Sequence, residues 1–240
     1  MKKIVVGILI GFLFVFAGCN DDEGYSMSDM WIGFGVYHGD ENSSEIIMDN
    51  GDVLILVASN YPPGWGEHLG YGARILVNYT ILDDKYDDEG NLESYYVKVN
   101  SYQDILMKGV MEITPENEDS IGNDALIVDD YWMTDSLLSF KLKYWGYSSV
   151  HFLNLVRDTT EITVDNQPIE LQLRHNANED EHTILYTAYV SFSLNSLRIE
   201  GQDSVKFVVT ATDYDGIEFS EEGVFDYTDL PDVIIPTENN

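Results

Sequence analysis

Hydrophobic and polar positions alternate with a period of two along most of the 240-residue chain. That spacing turns one face of an extended strand to a core and the other to water. It is plainest in Leu185-Tyr186-Thr187-Ala188-Tyr189-Val190-Ser191-Phe192-Ser193-Leu194. In the first half, strands are expected over Met30–Tyr37, Ile46–Met48, Val53–Ala58, Ala73–Leu82 and Tyr95–Asn100. Asn50-Gly51 marks a tight turn between the second and third. Residues 60–72 hold Pro62, Pro63 and several glycines, which exclude regular structure. Tyr102–Met111 suits either a short helix or a last strand. Five or six short strands around one core predict a small closed barrel over residues 28–112.

Residues 113–124 include Pro115 and Gly122-Asn123 and have no apolar period, so they are expected to be a linker. Beyond it seven longer strands are predicted, over 125–133, 137–145, 150–157, 169–175, 184–194, 205–213 and 217–227. Turn residues between them recur at the spacing of a β-sandwich, here 125–229. Residues 230–240, with two prolines and a terminal Asn pair, read as a frayed tail. The expected fold class is all-β.

The first nineteen residues break the alternation. Lys2 and Lys3 precede an apolar run from Ile4 to Phe16, followed by Ala17-Gly18-Cys19. Two cations, a short apolar run and small residues describe a secretory signal peptide, residues 1–18. The run is shorter than the roughly 20 residues a spanning helix needs. Cys19, the only cysteine, gives the end of the run the look of the bacterial lipoprotein lipobox, although Phe16 stands where that pattern prefers Leu. Diacylglycerol on its sulfur would tether the chain to a membrane, each buried methylene contributing about 0.8 kcal/mol. Residues 19–27 would form an acidic tether. Asn20-Asp21-Asp22-Glu23 resembles a surface-export signal of certain Gram-negative lipoproteins; without that signal the protein would remain on the periplasmic face.

Charge narrows the partners. Twelve Lys+Arg stand against 43 Asp+Glu, a formal charge of −31, and cleavage before Cys19 would make it two charges more negative. Such a chain repels nucleic acid. The barrel segment has aromatics but only Arg74, Lys85, Lys98 and Lys108 as cations, so a single-strand groove lacks its positive track. With the lone Cys committed to lipid, no disulfide is available and the fold rests on its apolar core.

Catalytic residues are not expected. His38, His68, His151, His175 and His182 show no H-E-x-x-H spacing, and no G-x-S-x-G elbow occurs. Arg174-His175-Asn176 is the most concentrated polar cluster; its structural account has Asp180 pairing with Arg174 and Asn176 capping a turn. No cofactor is expected. Calcium is the one metal the loops could serve, at Asp83-Asp84 with Asp87-Asp88-Glu89 and at Asp213-x-Asp215-Gly216, neither with full EF-hand spacing. Candidate ligand-binding residues are Tyr61, Trp65 and Tyr71, whose rings on a Gly- and Pro-rich loop suit a glycan or a protein partner. The competing account folds Trp65 onto the barrel as a lid.

Several segments carry a family resemblance. Asp49-Asn50-Gly51-Asp52, Val57-Ala58-Ser59-Asn60-Tyr61, residues 74–82, Tyr95-Tyr96-Val97-Lys98-Val99-Asn100, residues 119–124, Leu173-Arg174-His175-Asn176-Ala177-Asn178 and Val190-Ser191-Phe192 are similar, in order, to the NigD-like lipoproteins. The resemblance implies an OB-like barrel followed by a β-sandwich, and an architecture rather than a chemistry, the family name coming from a bacteriocin-associated setting. Ala125 stands where the family would have Pro, and Glu179 where it would have Gly, both in turns. Asp-Ser-aliphatic at 119–121, 135–137 and 203–205 resembles the O-glycosylation acceptor of the same bacterial group. The sequence thus predicts a non-enzymatic, lipid-anchored outer-membrane protein, surface-exposed, that binds a partner or builds the envelope. The alternatives are an accessory to glycan or nutrient capture, or an immunity or interaction protein, with a hydrolase last.

Overall fold

In the computed structural model, the residues described are 24–39, 44–61, 69–158, 165 and 167–230. The signal peptide, Cys19, Trp65 and the tail from 231 onward lie outside them.

The first five strands close a barrel. They are β1 (Trp31–Gly39), β2 (Ser44–Met48), β3 (Val53–Ser59), β4 (Ala73–Tyr86) and β5 (Leu92–Asp104), in the order β1-β2-β3-β5-β4. Neighbours are antiparallel except β3 and β5, which run parallel. Alternation delivers Tyr37, Ile46, Leu54, Ile75, Val77 and Val97 to one core. Gly35 lets β2 approach: a Cβ there would lie 2.6 Å from Ile46 Cγ2 and 2.8 Å from the Ile47 carbonyl oxygen. The long β4–β5 hairpin shifts register near Asn78/Tyr79 and Ile81/Asp83, bending both strands around the barrel.

Nine strands form the second half. A five-stranded sheet has the order β14-β13-β11-β10-β7 and a four-stranded sheet the order β6-β12-β9-β8. Here β6 is Leu106–Gly109, β7 Met111–Glu112, β8 Ile127–Thr134, β9 Leu137–Gly146 and β10 Phe152–Arg157. The remaining strands are β11 (Ile169–Asn176), β12 (Ile184–Ser193), β13 (Ser204–Thr212) and β14 (Glu218–Asp226). Phe140, Leu142, Leu155, Leu171, Phe192 and Phe225 are among the side chains filling the space between the sheets.

Two expectations are corrected. Residues 106–112, expected to finish the barrel, pair with the sandwich: β6 runs parallel to β12, and β7 parallel to β10. A two-strand excursion, one strand per sheet, puts Val110 against the sandwich core, which alternation alone could not assign to either half. The expected linker is also packed. Its single helical turn α1 (Glu118–Ile121) buries Ile121. Gly122 follows at φ 72°, where a Cβ would meet Asn176 Cβ at 2.6 Å.

Candidate functional site

Three places gather chemistry-bearing side chains. The first joins the halves. Arg74, on β4, is fully buried and grips Asp49 of the β2–β3 turn with both terminal nitrogens, at 2.5 and 2.6 Å. Across the junction its Nε donates to Ser191 Oγ (3.1 Å) and Nη2 to Ser139 Oγ (3.4 Å), while Trp132 Nε1 donates to Asp49 Oδ2 at 2.7 Å. Phe34, on the outer face of β1, packs against Trp132 and Tyr189 at 4.9 and 5.1 Å between centroids, with the guanidinium 5.5 Å from its ring. The planar fork of Arg meets the carboxylate in two parallel bonds, and Nε remains for the sandwich. Sequence reasoning counted Arg74 as a barrel cation and missed this role. A lone Arg inside the apolar alternation of residues 73–81 was the only signal.

The second place is the barrel end that carries the expected binding loop. Tyr61 does not stand free. Its ring packs on Tyr102 (5.1 Å) against the barrel core, and its hydroxyl accepts the Tyr102 N–H at 3.4 Å. Leu69 is buried and pins the far end of the loop. Tyr71 is 72% exposed, and its ring meets the edge of His38 at 4.8 Å. Burial lowers the pKa of His38 against the opposing charge of Glu45. Of the three expected residues, the structure thus separates Tyr61 from Tyr71, and Trp65 is not among those described.

The third place is one mouth of the sandwich. His175 on β11 is buried, with Nδ1 2.9 Å from the Ala125 carbonyl oxygen and Nε2 2.8 Å from His151 Nδ1. His151 Nε2 lies 3.1 Å from Asp180 Oδ2, and Tyr144 stacks on His151 at 4.7 Å. Asp180 also accepts the N–H groups of Tyr147 (2.5 Å) and Ser148 (3.1 Å). These bonds hold its carboxyl well below the usual range, Tyr147 contributing most, against the opposing effect of burial. Burial lowers the pKa of His175. Beside this cluster a polar cleft of about 430 Å³ is lined by residues that include Asp119, Asp124, Asn176, Glu179 and His182.

The expected partnership within this cluster is corrected. Asp180 pairs with His151, and Arg174 donates to the Gly122 carbonyl (2.7 Å) and Gln172 Oε1 (3.0 Å). A pair of residues six apart looked adjacent in sequence, but Arg174 points to the sheet face that α1 covers. Asn176 does cap its turn, accepting the Asn178 N–H at 2.7 Å. Every ring nitrogen of His151 and His175 is engaged within the fold. Among the described residues no group of three or more His, Cys, Asp or Glu could hold a metal. The loops considered for calcium bind their own backbones. Asp87 accepts the N–H of Glu89 and Asn91, and Asp213 those of Asp215 and Ile217. Among the described residues no helix is long and apolar enough to cross a membrane.

Comparison with known proteins adds the relatives. Residues 109–222 match the NigD-like C-terminal beta sandwich domain family. A candidate toxin-related protein of known structure from Parabacteroides distasonis is 28% identical, with a TM-score of 0.66 over 84% of this chain and 95% of that one. A NigD-like immunity protein from Bacteroides caccae shares the fold at 19% identity, with a TM-score of 0.59 over 84% and 99% of the two chains. So does a candidate lipoprotein from Bacteroides fragilis, at 12% identity and a TM-score of 0.56, over 85% and 100%. Among curated proteins none matches. The two-sheet core of residues 106–226 agrees with that match, so residues 109–222 form a NigD-like C-terminal beta sandwich domain.

Proposed function

We propose that this protein is a non-catalytic binding component of the cell envelope of a Gram-negative bacterium. In this reading it is anchored in the outer membrane by lipid on Cys19 and exposed at the cell surface. The family and its structural neighbours support a β-sandwich protein without catalysis. Five strands closed through a parallel β3–β5 pair support an OB-type assignment for the barrel. The observation that carries the binding role is Tyr71, a ring 72% exposed at the barrel end beside His38. A flat aromatic face with a neighbouring polar tip suits a sugar ring or a protein side chain. A protein partner is the second reading, favoured by the neighbour described as an immunity protein. Nucleic acid is disfavoured: Arg74 is buried, Lys85 pairs with Glu93 at 3.1 Å, and Lys108 donates to Asn154 within the sandwich.

Two measurements test this. Protease shaving of intact cells should remove the wild-type protein, whereas Cys19→Ala should leave no membrane-bound, lipid-labelled form. Survival of the wild type under shaving places it on an inner face and ends the surface reading. Tyr71→Ala should weaken capture on a glycan array, or of a partner from envelope extracts, with little change in melting temperature. Capture unchanged by Tyr71→Ala removes this ring from the site.

A further inference from the structure

The hydrogen bonds at the sandwich mouth do not balance with two neutral histidines. His175 Nδ1 faces the Ala125 carbonyl oxygen, which only accepts, so that nitrogen carries a hydrogen. His151 Nε2 faces Asp180, and an ionised carboxylate likewise only accepts, so Nε2 carries a hydrogen too. Between the rings, His151 Nδ1 and His175 Nε2 stand 2.8 Å apart and share one more. Two neutral imidazoles hold two ring hydrogens; this chain of contacts needs three.

We propose that the His151–His175 pair holds one extra proton at neutral pH, its positive charge on His151 against Asp180, and that this proton clamps the β9–β10 turn onto the β11–β12 turn at the rim of the polar cleft. Two observations fix where the charge sits. Burial favours the neutral form of His175. Asp180 is kept ionised by the backbone N–H groups of Tyr147, Ser148 and Ser149, so it cannot itself supply the missing hydrogen. The other titratable groups around the pair do not compensate. Tyr144 on β9, with Tyr186 and Tyr214 near it, has its pKa raised by burial and stays neutral. Asp124 favours a proton on His175 and His182 opposes it.

The clamp is mechanical. Asp180 Oδ2 accepts from both the Tyr147 N–H and His151, so one carboxylate ties residues 147 and 148 to the turn bearing Asn178 and Glu179. Removing the proton leaves lone pairs facing one another at one of the three contacts. The expected response to losing that proton is a loosening of the cleft rim.

Imidazole ¹⁵N–¹H spectra of the labelled full chain test this. At about pH 7 the wild type should show one ring protonated on both nitrogens and a second protonated on Nδ1 alone. Asp180→Asn keeps the shape, and its side-chain oxygen can still accept the Tyr147 N–H, but it removes the negative charge that balances the imidazolium. The doubly protonated ring should vanish. Two neutral rings in the wild type, or a doubly protonated ring surviving in Asp180→Asn, would overturn the proposal. Should Asp180→Asn not fold, the wild-type spectrum decides alone.

Discussion

At the scale of single residues, most positions obey the alternation, and the exceptions show where tertiary structure intervened. Glu179 is one. It sits at φ 57°, next to Asn178 at φ 52°, in the left-handed region that L-residues with a Cβ enter at a cost. The resemblance to relatives pointed to Gly there, and the backbone explains why Gly suits it. Glu179 is exposed, so no packing is lost on replacement. Glu179→Gly should therefore raise unfolding stability by roughly 0.5–1 kcal/mol in urea denaturation, the relief of strain exceeding the added chain entropy. The chemistry-bearing residues were less legible. His175 was singled out as part of a polar cluster, but its partner His151 lies 24 residues earlier, in the turn just before the adjacent strand β10. No local pattern marks a pair formed by strand register.

At the scale of elements, the strands of the sandwich fall where the hydrophobic period places them. β9, predicted over 137–145, spans Leu137–Gly146; β12, predicted over 184–194, spans Ile184–Ser193. These strands are long and one-sided, which is when a period of two is readable. The short elements were not. β6 and β7 have four and two residues, too few for a period to register. Their identity as strands depends on β12 and β10 offering free edges for parallel pairing. They lead the chain from the barrel to both sheets at once, so the end of the barrel is also the start of the sandwich.

At the scale of the whole molecule, the junction around Arg74 decides whether the halves move as one. Asp49 and Arg74 both belong to the barrel, yet Ser139, Ser191 and Trp132 of the sandwich complete their hydrogen bonds. Removing one member of a buried ion pair strands the other, at a cost of about 3–5 kcal/mol. Arg74→Met should lower stability by that amount in chemical denaturation. Arg74→Met combined with Asp49→Leu should recover much of the loss, because apolar pairs often replace buried ions without penalty. If the double variant is no better than the single one, the junction depends on the charges themselves.

The amino-acid order by itself determined the all-β class and most strand positions, because these rest on local periodicity. Tertiary structure alone decided the closing of the barrel through a parallel β3–β5 pair, the burial of Arg74 between domains and the meeting of His151, His175 and Asp180. Each of those joins residues far apart in the chain. Their energies come from desolvation and from donors finding acceptors across strands, and neither exists until the strands are side by side.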